Sequence, residues 1–297
     1  MANIEQLSKL KQGASSWLDW LDRNSQPIID LSNANLKAID LSGVYLVKAQ
    51  LVGADLTDVS LVGANLTGAN LETAQLKDAN LEASNLTGAS LQSANLTRAN
   101  LAQANSIGSD LRYVHGVDVN FRACNLIGTS LRQAKLRQAN FMQAQLNRAN
   151  LSETTLNKAC FDGADLAGAN FFEAELQSAS FSQANLVQIS AIATHLSHGY
   201  LVASNLLEAE LIRCDLRWAN LSYCNLQSAN LAQAQLRGAN LVRANLTKAN
   251  LAGANLRGAN LTKANLCQVN LTGANLENAI FDRAILTGAL APDGSMM

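Results

Sequence analysis

From Leu31 to Leu286 every fifth residue is a leucine or a phenylalanine, and only Ser106, Gly116 and Ala191 break the rule among 52 such centres. The phase never slips. Two residues before each centre stands a small residue, most often alanine, as at Ala54, Ala64, Ala69 and Ala74. Between them most often lies Asn or Asp, as at Asp55, Asn65 and Asn70, and the two residues after the centre are variable and mostly polar. No regular element accepts this pattern. On an α-helix five residues turn the side chain by about 140°, which sprays the leucines over every face. On a continuous strand an odd period sends alternate leucines to opposite sides. One arrangement buries them all: each pentad is a short extended piece followed by a turn, and the pieces wind into a coil. The centre and the small residue two before it then share the inner side. Asn, Asp, Ser and Gly suit the turns.

Ahead of the repeats the period changes. Ile4, Leu7, Leu10, Ala14, Trp17, Leu18 and Leu21 recur at spacings of three and four, which predicts a helix over 3–23 with that set as its apolar face. Asn3 is placed to cap it, Asn24-Ser25-Gln26-Pro27 to end it, and Gly13 to interrupt it. Stacked coils expose backbone edges, so this helix is expected to cover the first coil. The closing stretch Ala289–Ser295 is a thinner cover, and the last coil is expected to pair with a second copy.

The runs from Ala239-Asn240-Leu241 to Ala264-Asn265-Leu266 read A-[N/D]-L-x-x almost without exception. Over about residues 29–288 the chain therefore resembles the pentapeptide-repeat family, in its cyanobacterial form. The resemblance implies an all-β solenoid, a right-handed quadrilateral parallel β-helix with four pentads per coil. Echoes at twenty residues agree: Phe121, Phe141, Phe161 and Phe181, and Arg217, Arg237 and Arg257. Four pentads per coil gives about 13 coils and a rod of roughly 60 Å. The expected organisation is an N-terminal helical cap over 1–28, the β-helix over 29–288 and a C-terminal tail over 289–297.

Composition narrows the function. Charged residues are 15% and aromatics 5%, and no apolar run is long enough to span a bilayer. The N-terminus lacks a basic start followed by an apolar stretch, so a cytoplasmic location is expected. Five scattered cysteines form neither metal-ligand spacings nor a disulfide framework, and Cys124, Cys214 and Cys224 take the small inward position. A lumen filled by Leu and Ala leaves no concave site for a substrate. The reading is non-enzymatic, with no catalytic residue, cofactor or metal site. The histidines, His115, His195 and His198, lie in or near the irregular pentads at 104–118 and 189–200, and His195 and His198 share one pentad with no Cys or carboxylate beside them in sequence.

The outer walls remain. Net charge is −1 overall, but it is sorted: −6 over residues 149–210 and +6 over 211–270. In the basic stretch Arg217, Arg237 and Arg257 are expected to stack on one wall, with Tyr223, Arg243 and Lys263 on the next. Trp218 falls outside beside Arg217, either as an interface anchor or shielding the wall through a cation–π contact with an arginine. These seven residues are the candidate partner-binding site of a regulatory protein–protein scaffold whose partner is unknown. The resemblance also raises mimicry of DNA to modulate DNA gyrase, which needs a strongly acidic surface that this chain lacks. Direct nucleic-acid binding through the basic band would be weak.

Overall fold

The computed structural model describes residues 2–24 and 27–297. Two compact units are present, Met1–Gln145 and Leu146–Met297. Both are built from the same pentad, and the architecture is a solenoid-like repeat. Its local unit is a turn: the N–H two residues before a centre typically donates back to the preceding centre, as from Ala34 to Leu31 at 3.0 Å and from Ala219 to Leu216 at 3.1 Å. The third residue of that turn has positive φ, as a type II turn requires. Thirty-eight non-glycine residues and fourteen glycines occupy this position, one in each of the 52 pentads. The left-handed residue is therefore the second after the centre, not the Asn before it.

Within each unit a residue pairs in parallel with the residue twenty positions on, as Asn35 with Asp55 and Asn220 with Asn240. Four pentads thus make one turn of each coil. One of these pairings extends into two short strands, β1 (His115–Val117) and β2 (Lys135–Arg137), in register His115 to Lys135. Pentads stacked in successive coils are tied by three bonds, for example Leu31 N–H to Gln50 O, Asn33 N–H to Val52 O and Asp55 N–H to Ala34 O.

The Asn position works harder than turn tolerance requires. Its Oδ1 accepts the N–H two residues on, as Asn95 does from Thr97 at 3.1 Å. Its Nδ2 donates to the Asn one coil back: Asn120 to Asn100 at 2.8 Å, Asn225 to Asn205 at 2.9 Å and Asn250 to Asn230 at 3.1 Å. These amide ladders leave the Asn side chains half-buried along the walls.

The centres fill the interior, and Leu241 and Leu246 are fully buried. The phenylalanines stack inside their own units, Phe121 on Phe141 at 4.8 Å and Phe161 on Phe181 at 4.7 Å, with Phe171 edge-on to both members of the second pair. Two of the irregular centres are accommodated differently. At Gly116 a β-carbon would lie 2.7 Å from Val119 Cγ2 and 2.9 Å from the Leu96 carbonyl carbon, so the backbone itself closes in and Val119 fills the space. At Ala191 a void of about 10 Å³ remains among Phe171, Phe181, Leu186 and Leu211, room for one water at most and without polar lining.

Two helices precede the first pentad, α1 (Ile4–Lys11) and α2 (Ala14–Arg23), separated where Gly13 takes φ 103°. Asn3 caps α1 by accepting from the Gln6 N–H. Ser25 and Gln26, expected among the residues ending the helix, lie outside the described residues. The expected apolar face is corrected in part: Ile4 and Leu18 are exposed, and the buried residues are Gln6, Leu10, Trp17 and Trp20. Gln6 clasps the first coil with both ends of its amide, donating to Ile28 O at 2.7 Å and accepting from Asp30 N–H at 2.8 Å. Trp17 stacks on Trp20 and donates to Tyr45 O. Among the described residues no helix is long and apolar enough to cross a membrane.

The last coil departs from the rule that centres are buried. Leu276, Phe281 and Leu286 are half-exposed, and Ile280 and Ile285 stand, 50% and 51% exposed, where other pentads carry Asn. The tail pairs with the preceding coil, through Leu271 N–H to Leu290 O and Gly273 N–H to Pro292 O, and folds back on its own end, Gly288 N–H donating to Met297 O.

Candidate functional site

The seven residues singled out from the sequence all lie in the second unit. Arg217, Arg237 and Arg257 follow one another coil by coil, Trp218 N–H donating to Arg237 O at 3.0 Å and Gly238 N–H to Arg257 O at 2.9 Å. Tyr223, Arg243 and Lys263 form the second column, through Tyr223 N–H to Val242 O and Arg243 N–H to Thr262 O. One face lies between these columns, the face that carries Asn220, Asn240 and Asn260. Arg217 and Trp218 form its leading corner; Tyr223, Arg243 and Lys263 form its trailing corner.

The charges are less available than a count suggests. Arg217 makes a two-pronged pair with Asp215, Nε to Oδ1 at 2.8 Å and Nη2 to Oδ2 at 2.7 Å. Burial pushes the Asp215 carboxyl up, but hydrogen bonds from Arg217 and the charges of Arg217 and His195 outweigh it and hold it below the usual carboxylate range. Arg257 meets Glu277 at 3.3 Å. Among the described residues Arg237 and Lys263 make no ion pair. The cation–π contact considered for Trp218 is instead made by Arg243, whose guanidinium lies 5.5 Å from the centre of the Tyr223 ring and 3.3 Å from its hydroxyl.

Trp218 is 54% exposed and held by its neighbour one coil on. Gly238 has φ 67°, and a β-carbon there would lie 2.3 Å from Trp218 Cε3 and Cζ3. The indole therefore rests on the Gly238 backbone, and no other residue leaves it that room. Beside it opens a depression of about 390 Å³ lined by His198, Tyr200, Trp218, Asn220, Gly238 and Asn240. Tyr200, 58% exposed, was not among the expected site residues. Its signal was legible: it stands at the Asn position exactly one coil before Asn220.

The histidines lie on the surface. The coil brings carboxylates to His195 that sequence adjacency hid, since Glu175 and Asp215 are its partners one coil to either side. His195 Nδ1 is 3.4 Å from Glu175 Oε1. Among the described residues no three His, Cys, Asp or Glu side chains converge into a metal site.

The family model for pentapeptide repeats matches residues 34–72, 74–112, 224–262 and 249–288, and the model for a pentapeptide repeat region matches 114–191. The chain belongs to the pentapeptide-repeat family. Among solved structures it is 30% identical to HetL, a pentapeptide-repeat protein involved in heterocyst differentiation regulation in the cyanobacterium Nostoc sp. strain PCC 7120, over 90% of this chain and 94% of that one, with a TM-score of 0.24. It is 38% identical to Rfr23 of the cyanobacterium Cyanothece 51142 over 33% of this chain and 58% of that one, with a TM-score of 0.23. It is 19% identical to QnrB1, a plasmid-mediated fluoroquinolone resistance protein, over 57% of this chain and 90% of that one, with a TM-score of 0.47. No curated protein sequence matches the chain.

Proposed function

We propose that this pentapeptide-repeat protein is a non-enzymatic, regulatory interaction scaffold that binds a protein partner on the Asn220–Asn240–Asn260 face. The observation that carries the reading is Trp218, an exposed indole pre-set against Gly238 and bordered by cations. Rigid aromatic and arginine side chains supply a large share of the energy in protein interfaces. The void beside Ala191 has no room for a substrate. The 30% identity to HetL over most of both chains supports regulation as the process served.

The finer architecture belongs to this reading: a right-handed four-sided helix of about 13 coils, closed at its start by α1 and α2 and ending in the 289–297 tail, working in the cytoplasm. Its site comprises Arg217, Trp218, Tyr223, Arg237, Arg243, Arg257 and Lys263. The test is affinity capture from the host with the wild type and with Trp218→Ala plus Arg237→Glu. The affinity of each recovered protein is then measured in purified form. A partner that loses at least about tenfold in affinity with the double variant, roughly 1.4 kcal/mol, supports the face. Partners that bind both forms equally rule it out.

A further inference from the structure

On the proposed face the amide ladder joins Asn240 to Asn220 and stops there among the described residues. Asn240 Nδ2 donates to Asn220 Oδ1 at 3.2 Å, and Asn220 Oδ1 also receives the Ser222 N–H. The next position up the column is Tyr200, which has no amide oxygen to offer. Among the described residues the Asn220 side-chain NH₂ therefore has no partner, and it lies on the wall of the depression between Tyr200 and Trp218. A half-buried amide with two free donors wants a carbonyl or a carboxylate oxygen. The two aromatic rings beside it want an apolar group.

Charge selects among occupants that carry both. Arg237, Arg243 and Lys263 border the same face and their nearest described contacts leave their charge uncancelled, whereas Asp215 and Glu277 answer Arg217 and Arg257. An anionic occupant follows. A long polyanion does not, because the same unit carries net −6 over residues 149–210, immediately before this face, and would repel a phosphate backbone extending past it. From Tyr200 to Asn260 the column spans three coil spacings, about 14 Å, the length of four or five extended residues.

We propose that this face takes a short acidic segment of a partner protein, lying along the Asn column with one aromatic or branched side chain seated between Tyr200 and Trp218 and its backbone or a carboxylate received by Asn220. The proposal rests on the interaction reading above and adds the chemistry of the partner.

The probe is a fluorescent, capped peptide of three glutamates, one phenylalanine and three glutamates, followed by anisotropy at low salt. The expected result is saturable binding that weakens by about tenfold with Arg237→Glu plus Lys263→Glu and by a similar factor with Gly238→Ala, which displaces the indole without changing charge. The same peptide with lysine in place of glutamate is expected not to bind. Far-ultraviolet circular dichroism identifies any variant that has lost its fold, and Trp218→Phe, which keeps an aromatic ring, then takes its place with a smaller expected loss. Failure of the glutamate peptide to bind, equal binding of the lysine peptide, or tighter binding of a thymidine heptanucleotide overturns the proposal. If Trp218→Ala still abolishes binding of a captured partner while the acidic peptide does not bind, the face survives as an interaction surface and its acidic occupant falls.

Discussion

A residue with a β-carbon held at positive φ costs roughly 1 kcal/mol or more relative to glycine, and this chain accepts that at thirty-eight corners, including Trp218, Tyr223 and Arg243. The offset is local: where a further coil follows, the N–H of such a residue is fixed by one of its carbonyls, as Tyr223 by Val242. Corners can therefore carry any side chain that clears its neighbour, and this is how a monotonous repeat displays an individual surface. Inside, the tolerance vanishes. Phe171 fills part of the space that Ala191 leaves open, and the remaining void of about 10 Å³ cannot admit the three extra carbons of a leucine. Ala191→Leu alone is expected to overpack by about 1–3 kcal/mol, and Phe171→Leu alone to destabilise by about 1–2 kcal/mol through a larger cavity. The double variant restores the common repeat and is expected to recover most of the loss, a coupling of about 1–3 kcal/mol readable from urea midpoints of the four proteins. Additive losses would show that the two side chains do not share a space. The cysteines give a second test. Burial pushes the Cys124 thiol up to about 12 and Cys224 to about 11, and Cys214 is raised for the same reason. Thiolates being the reactive species, a maleimide at mild pH is expected to modify only Cys160 and Cys267 in the folded protein and all five after denaturation, as counted by intact mass. Rapid labelling of Cys124 or Cys214 under native conditions would contradict the packed interior.

At the scale of elements, the pentad's inner side was legible because its period admits only one way to bury the centres, and the deeply buried Leu241, Ala244 and Leu246 follow it. The amide ladders were not legible, since Asn120 and Asn100 are neighbours only once the twenty-residue turn is known. The same geometry hid the Glu175–His195 contact, whereas Tyr200, at the Asn position one coil before Asn220, could have been read from the sequence. In the helices the apolar pattern named Leu10 and Trp17 correctly, yet counted Ile4 as inward and overlooked Gln6. A buried glutamine reads as a break in an apolar face until its amide is seen pairing with Ile28 and Asp30 as a neighbouring strand would. Gln6→Leu keeps the size and apolar contact but leaves a carbonyl and an N–H of the first coil without partners, each costing about 1–3 kcal/mol when buried. The expected outcome is lower thermal stability of the first unit, with faster amide exchange at Asp30 and the adjoining pentads. Unchanged exchange at Asp30 would mean that α1 does not close the coil.

For the molecule as a whole, the two chain ends are treated differently, and the difference bears on assembly. At the start, helices and the Gln6 clasp meet the backbone edge of the first coil. At the end, the N–H groups of Leu276, Phe281 and Leu286 find no backbone acceptor among the described residues, and the apolar centres beneath them are half-exposed. An open edge of this kind invites further pairing, and repeat arrays ordinarily finish in a polar cap. Here Ile280 and Ile285 replace the usual Asn, so the edge gains apolar surface where a solvated end would gain amides. A second copy meeting the first through the same end covers both edges at once, and two-fold symmetry makes one patch serve both partners. The proposed dimer therefore depends on Phe281 and the two isoleucines. Ile280→Glu plus Ile285→Glu sets like charges against each other across the two-fold and is expected to convert a dimeric mass to a monomeric one in sedimentation equilibrium. The isolated monomer is expected to keep the circular dichroism of the parent, because neither side chain is buried within its own chain. Ile280→Asn plus Ile285→Asn, which restores the residue of the ordinary pentad, is expected to weaken association less than the charged pair does. A parent protein that sediments as a monomer at micromolar concentration removes the second copy as the partner of this end.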